Sequence, residues 1–203
     1  MSNAFASLKV MNRLDLTKRL VAKLTQEEAV IGGIGNTNFD LWAAGHRPQN
    51  LYMLGSMGLT CSIAMGVALA QPERGVIALE GDGSMLMALG CLTTIGMRKP
   101  RNLTIFIFDN GMYEITGRQP AATQATTDLV AIARGAGIEA EWAKDEAHYD
   151  KLIDRRYEDG GPLLIAAKID NTHSQVQTPR DPTLNRQRFM QALGTGRQSA
   201  LDG

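Results

Sequence analysis

The segment 103–108 (LTIFIF) constrains the fold more than any other part of this chain. It is β-branched and aromatic, and Thr104 is its only polar residue, so it lacks the alternation of a half-exposed strand. A strand apolar on both faces must be covered on both sides, which predicts the centre of a parallel sheet flanked by helices. The remainder of the chain alternates helix and strand in keeping with that. Apolar spacing of three and four predicts a helix over 14–24, then a buried strand over 29–34 running into the loop Gly35-Asn36-Thr37-Asn38. A short helix over 39–44 and a strand over 50–54 come next, and Gly55-Ser56-Met57-Gly58 turns the chain into a helix over 59–70. A Pro/Gly cluster at 71–75 breaks the chain, a third strand spans 76–80, and Gly81-Asp82-Gly83-Ser84 opens a helix to about Met97. Beyond the central strand the pattern predicts a helix at 128–136, a strand at 138–142, a helix at 148–157 and a strand at 163–169. The stretch 180–196 is polar, with a turn or two of amphipathic helix at 188–193. Strands joined by helices of this length make βαβ crossovers, so the expected class is α/β: a single-domain, doubly wound parallel sheet with helices on both faces.

Composition narrows the function. The 203 residues carry 21 Lys+Arg against 21 Asp+Glu, so the cationic excess needed to neutralise nucleic-acid phosphates is missing. Aromatics are only 5%, leaving Ala, Leu, Ile, Val and ten Met to build the core. Cys61 and Cys91 sit in apolar, helix-like contexts with no second Cys nearby; they read as buried small hydrophobes, and the inventory excludes a zinc ribbon or an iron–sulfur cluster. Apolar runs break well short of the ~20 residues a membrane span needs, and no secretory signal is seen, so a cytoplasmic protein is expected. Ser2-Asn3-Ala4 after Met1 reads as an expression remnant within an N-terminal extension, 1–13.

In doubly wound sheets ligands gather at the carboxyl ends of strands. Three of the four most glycine-dense loops, after Ile34, Leu54 and Glu80, fall there. Gly81-Asp82-Gly83-Ser84 ends a strand and begins a helix, where free N–H groups favour an anion and the flanking glycines allow close approach. A carboxylate cannot face a phosphate bare. Mg²⁺ bridges the two, since it takes hard oxygen ligands. By itself such a tetrapeptide is commonly a plain turn. The second part is Asn110, 28 positions after Asp82, one helix and one strand further on. That spacing returns the chain to the same sheet edge, where the Asn110 oxygen and a carbonyl from Gly111-Met112 could join a metal shell. An Asx-type turn closing the strand is the plainer account of Asp109-Asn110-Gly111.

Together the two segments resemble the cofactor motif of thiamin-diphosphate-dependent decarboxylases and synthases, and the likeness runs from about residue 14 to 193. Gly55-Ser56-Met57-Gly58, GDGSMLM at 81–87 and NLTIFIFDNGMYEITGRQP at 102–120 are similar to phosphonopyruvate and sulfopyruvate decarboxylases, of the separate β-subunit type. The resemblance implies a diphosphate-binding domain over 14–170 and a tail over 171–203. It implies that Asp82, Asn110 and the Met112 carbonyl hold Mg²⁺, and that Gly81, Gly83, Ser84 and Tyr113 surround thiamin diphosphate. It places Met57 beneath the cofactor rings, with Gly55, Ser56 and Met57 along the aminopyrimidine edge; a loop Met filling a core gap is the commoner local reading. The Glu that activates the pyrimidine lies on a separate domain in this superfamily, and Glu27, Glu28 and Glu80 match no such motif. A pyrimidine-binding α subunit is therefore implied as partner, with self-association, and a small 2-oxoacid as substrate.

Substrate-side candidates follow the metal loop: Glu114, Thr116, Arg118 and Gln119. A guanidinium grips a sulfonate, phosphonate or carboxylate by paired donors, and the relatives carry a small residue where Arg118 stands. A solvated loop Arg explains it equally. His46, His148 and His173 are scattered, without metal-binding spacing. Two other readings stay open: a carboligase subunit resembling acetolactate synthase, and a nucleotide-phosphate-binding module, for which neither GxxxxGK[ST] nor GxGxxG is present. A 2-oxoacid:ferredoxin oxidoreductase β subunit shares the motif, but two isolated cysteines cannot ligate its cluster.

Overall fold

The computed structural model describes residues 8–158 and 160–195. The Ser2-Asn3-Ala4 remnant and residues 196–203 of the predicted tail lie outside them. The expected architecture is present. Strands β1 (Ala29–Gly32), β2 (Asn50–Tyr52), β3 (Val76–Gly81), β4 (Leu103–Asp109), β7 (Glu139–Ala143) and β8 (Leu163–Lys168) form one parallel sheet in the order β2-β1-β3-β4-β8-β7. Helices α1 (Arg13–Ala22), α2 (Asn36–Ala44) and α7 (Glu146–Asp154) pack on one face. The other face carries α3 (Thr60–Ala70), α4 (Asp82–Leu86), α5 (Gly90–Arg98) and α6 (Leu129–Gly135).

The central strand explains why both layers exist. All seven residues of β4 are buried: Leu103, Ile105 and Ile107 enter the core against α3, α5 and α6, and Phe106 and Phe108 the core against α1 and α7. Side chains alternate across a strand, so an uninterrupted apolar run feeds two cores. At about 1.5–3 kcal/mol for each fully buried large apolar side chain, β4 anchors both layers.

Four local features differ from the sequence reading. The helix expected from Gly81 to Met97 breaks at 87–89, where Met87 and Ala88 bond back three residues to Ser84 and Met85. Gly58 explains the break: a Cβ there would lie 3.3 Å from both the Met87 and Ala88 Cβ atoms, so this turn packs against the β2–α3 loop. Helix α2 begins at Asn36 rather than Phe39, because Gly35, at φ +73°, reverses the chain directly into it. The tail forms a longer helix, α8 (Pro182–Ala192), capped by Asp181 and held to β2 by Asn185 Nδ2 donating to Tyr52 O at 2.6 Å. Finally, Cys61 and Cys91 are neighbours across α3 and α5. The proximity of Cys91, with burial, pushes the Cys61 thiol up; Cys61 Sγ donates to Met85 Sδ at 3.9 Å, and Cys91 is only partly buried.

Candidate functional site

Strands β3 and β4 run in register, Glu80 beside Ile107 and Gly81 beside Phe108. Asp82 and Asn110 therefore leave the sheet side by side at its carboxyl edge. A cleft of about 630 Å³, open to solvent, lies there, and Met57, Gly81, Asp82, Gly83, Ser84, Asn110, Met112 and Tyr113 all line it. Gly55 and Ser56 share the loop of Met57 but do not reach the cleft wall.

Asp82 begins α4 and is 2% exposed. Thr123 Oγ1 donates to its Oδ2 at 2.5 Å. Burial, and then the neighbouring Asp109, push its carboxyl up to about 6 from an ordinary 3.8. Asp109 is itself buried, with Lys168 Nζ at 2.6 Å and the Gly111 N–H donating at 3.0 Å. Ser84 Oγ accepts from Gly58 N at 2.8 Å and ties α4 to the loop of Met57. A Cβ on Gly83 would lie 2.7 Å from the Tyr113 ring, so the backbone is bare there by necessity. Asn110 makes the Asx turn that its sequence allows, Oδ1 accepting from Met112 N at 3.1 Å and Nδ2 donating to Glu114 Oε2 at 3.2 Å. Its Oδ1 keeps a second lone pair. These donors suit a small hard cation: one carboxylate, one amide oxygen and the nearby Met112 carbonyl. Burial and Asp109 both disfavour the Asp82 anion, and a cation brought against it would offset them. Among the described residues no trio of His, Cys, Asp and Glu could hold a metal, so a nitrogen- and sulfur-rich centre has no place here.

The rim is built differently. Met112–Tyr113 (β5) and Gln119–Pro120 (β6) pair as a small hairpin that the sequence reading missed. Glu114 and Thr116 face the cleft, whereas Arg118 and Gln119 do not line it. Arg118 lies 3.5 Å from Glu114 Oε1 and 2.8 Å from His173 Nε2, its side chain 57% exposed. Gln119 bonds to Thr116. Arg13, Asn36, Thr37 and Glu80 line the cleft without having been singled out for it. Glu80 is 1% exposed, its Oε1 accepts from Gly81 N at 3.1 Å, and burial pushes its carboxyl up. A Cβ on Gly33 would sit 2.4 Å from that oxygen. Asn12, which caps α1 by accepting from Asp15 N, was a readable start signal that makes Arg13 the first helical residue.

The model of the thiamine pyrophosphate enzymes, C-terminal TPP-binding domain, matches residues 33–167. The chain belongs to this family. It is 35% identical over 184 residues to the sulfopyruvate decarboxylase subunit beta of Methanocaldococcus jannaschii, covering 89% of this chain and 96% of that one. It is 39% identical over 128 residues to the phosphonopyruvate decarboxylase of Streptomyces viridochromogenes, covering 63% of this chain and 32% of that one. A crystal structure from Mycobacterium smegmatis, described as a thiamin diphosphate-dependent enzyme, superposes with TM-score 0.71 at 19% identity, over 80% of this chain and 32% of that chain. That likeness concerns the fold. The matched range includes the cleft residues from Met57 to Thr116.

Proposed function

We propose that this chain is the cofactor-binding β subunit of a Mg²⁺- and thiamin-diphosphate-dependent 2-oxoacid decarboxylase of the sulfopyruvate or phosphonopyruvate type. The observation that carries this is the convergence of buried Asp82 and half-buried Asn110 on one cleft at the ends of adjacent strands. Relatives named as subunits beta, matched over nearly their whole length, support the two-chain form.

Asp82, Asn110 and the Met112 carbonyl would hold the cation, and Gly83 and Ser84 would offer donors to the diphosphate. When bound, the cofactor supplies an electron sink for loss of CO₂ from a 2-oxoacid. The chain's own work is placement. Met57 lies on the loop tied to Ser84, so the surface under the rings and the anchor for the phosphates move as one body. Thr123 fixes one Asp82 oxygen and leaves the other for the cation. Arg118 at the mouth would meet the substrate's acidic end, with Glu114, held by Asn110, beside it as the guanidinium's counter-charge.

Among the described residues, the acidic side chains that line the cleft are already engaged: Glu80 by the Gly81 N–H, Asp82 by Thr123, and Glu114 by Asn110 and Arg118. A pyrimidine-binding partner would supply the Glu that activates the pyrimidine and cover the cofactor. We expect the purified chain to show no release of CO₂ from sulfopyruvate until a Glu-bearing second chain is added, measured with both subunits verified by mass spectrometry. Full turnover by this chain alone would overturn the half-site reading. Among the described residues no helix is long and apolar enough to cross a membrane. The cytoplasm remains our proposed location.

A further inference from the structure

Of the residues that line the cleft, three are acidic (Glu80, Asp82 and Glu114) and one is basic: Arg13. It stands far from both motifs in sequence, at the first position of α1. Its side chain is 4% exposed. Two bonds fix the guanidinium: Nε donates to Asp40 Oδ2 at 2.7 Å, and Nη2 donates to the Thr172 carbonyl at 2.6 Å. Asp40 is 1% exposed within α2, and Thr172 belongs to the segment that follows β8. The third nitrogen, Nη1, takes no hydrogen bond among the described residues. A guanidinium has five donors in a planar fork, so clamping two corners aims the third.

Arg13 forms part of the wall between the cleft and a smaller cavity under the tail. The smaller cavity carries Asp40 and Asp170, which repel an anion. On the cleft side, the same wall holds Asn36 and Thr37, the first residues of α2. That helix has no side-chain cap: its Ncap residue is Gly35, and the Gly35 carbonyl accepts from Asn38 and Phe39. The start of a helix and a clamped guanidinium thus line the same cleft as the Gly83-Ser84 turn. Such a wall is complementary to a multiply charged oxyanion.

We propose that Arg13 is a diphosphate-binding residue: its Nη1 edge, aimed by Asp40 and the Thr172 carbonyl, donates to the terminal phosphate of the cofactor. This rests on the cofactor reading above and extends it to a residue outside both motifs. The substrate's sulfonate or phosphonate is the other candidate anion. A cation buried in the wall suits the group that stays bound, whereas Arg118, exposed at the mouth, suits one that exchanges. Asp40 is a positioning residue in this scheme. The segment that carries Thr172 makes two further bonds near the cleft: His173 bonds Arg118, and Ser174 N donates to Asn36 Oδ1 at 3.3 Å.

The experiment is calorimetric titration of the full chain with thiamin diphosphate, thiamin monophosphate and inorganic pyrophosphate, each with Mg²⁺. Arg13→Gln should weaken thiamin diphosphate and pyrophosphate by about 10- to 100-fold, the range for a lost charged hydrogen bond. Thiamin monophosphate should change little, so the preference for the diphosphate collapses. A merely structural ion pair would lower the melting temperature and leave that preference intact, which overturns the proposal. Should Arg13→Gln fail to fold, Arg13→Gln combined with Asp40→Asn leaves no buried unpaired acid and is read in the same way. A KM for sulfopyruvate, measured with the partner chain present, that rises while cofactor affinity holds would assign Arg13 to the substrate and also overturn the proposal. Wild-type protein that binds no thiamin diphosphate would instead defeat the cofactor reading, and this proposal with it.

Discussion

The floor of the cleft and its rim are made of the same kinds of residue, carboxylates and cations, yet they are held in opposite ways. On the floor, Asp82, Asp109 and Thr123 are at most 2% exposed at the carboxyl ends of β3 and β4, where Thr123 donates to Asp82 and Lys168 pairs with Asp109. On the rim, Glu114, Arg118 and His173 bond mainly to one another, and the Arg118 and His173 side chains are more than half exposed. The hairpin that carries Glu114 and Arg118 has strands of only two residues, His173 comes from the segment after β8, and Arg118 itself sits at φ +60°. Interactions on the floor act in a low effective dielectric and are worth more for each contact, while those on the rim are screened. The floor can therefore fix a cofactor, and the rim can be remodelled for different acids without disturbing it.

The sharpest way to break this comparison is on the floor. Asp82→Ala should reduce Mg²⁺-dependent thiamin diphosphate affinity by more than about 100-fold, beyond the 10–100-fold typical of residues that merely support a metal ligand. Calorimetry that finds unchanged affinity would remove the metal assignment. A second test is smaller in size and concerns the protein without ligands. Because the Asp82 carboxyl titrates near 6 in the fold and near 3.8 when exposed, the unfolded chain gives up its proton first as pH rises. Stability from this group is thus full below about pH 4, falls between 4 and 6, and stays low above. The shift corresponds to an effect on the order of 1–3 kcal/mol. Asp82→Asn cannot ionise, so its melting temperature relative to wild type should climb across that interval; a constant difference would show that burial does not tune this acid. The smallest effect belongs to the rim. Arg118→Ala should leave stability within about 0.5 kcal/mol and cofactor affinity unchanged, raising KM for sulfopyruvate by a few-fold at most. A loss of cofactor binding in that variant would erase the distinction between floor and rim.

The floor was legible in the sequence for a physical reason. Glu80 to Ser84 and Leu103 to Asn110 each place a chemical motif at the end of a buried strand, so periodicity locates the element and the element locates the motif. The rim was not, since its order comes from contacts that no local pattern encodes. The link from Glu114 and Arg118 to His173 spans more than fifty positions. Arg13 was missed on the same grounds: its cap was readable, but its partners lie 27 and 159 positions away. The pairing of Cys61 with Cys91 depends on how α3 and α5 stack, and the break at 87–89 on a glycine in another loop. In each case long-range packing decided what short-range preference left open.

The in-register pairing of β3 with β4 has a consequence for how such a site can diverge. What brings the two oxygen donors together is the ladder from Val76–Leu103 to Gly81–Phe108, and the count of residues between the donors is secondary. Insertions in the surface connection at 99–102 would leave the metal geometry whole, whereas sliding β4 by a single residue would exchange its two faces and turn Asn110 away. Descendants of this chain are thus free to lengthen that loop and are forbidden to slip that strand.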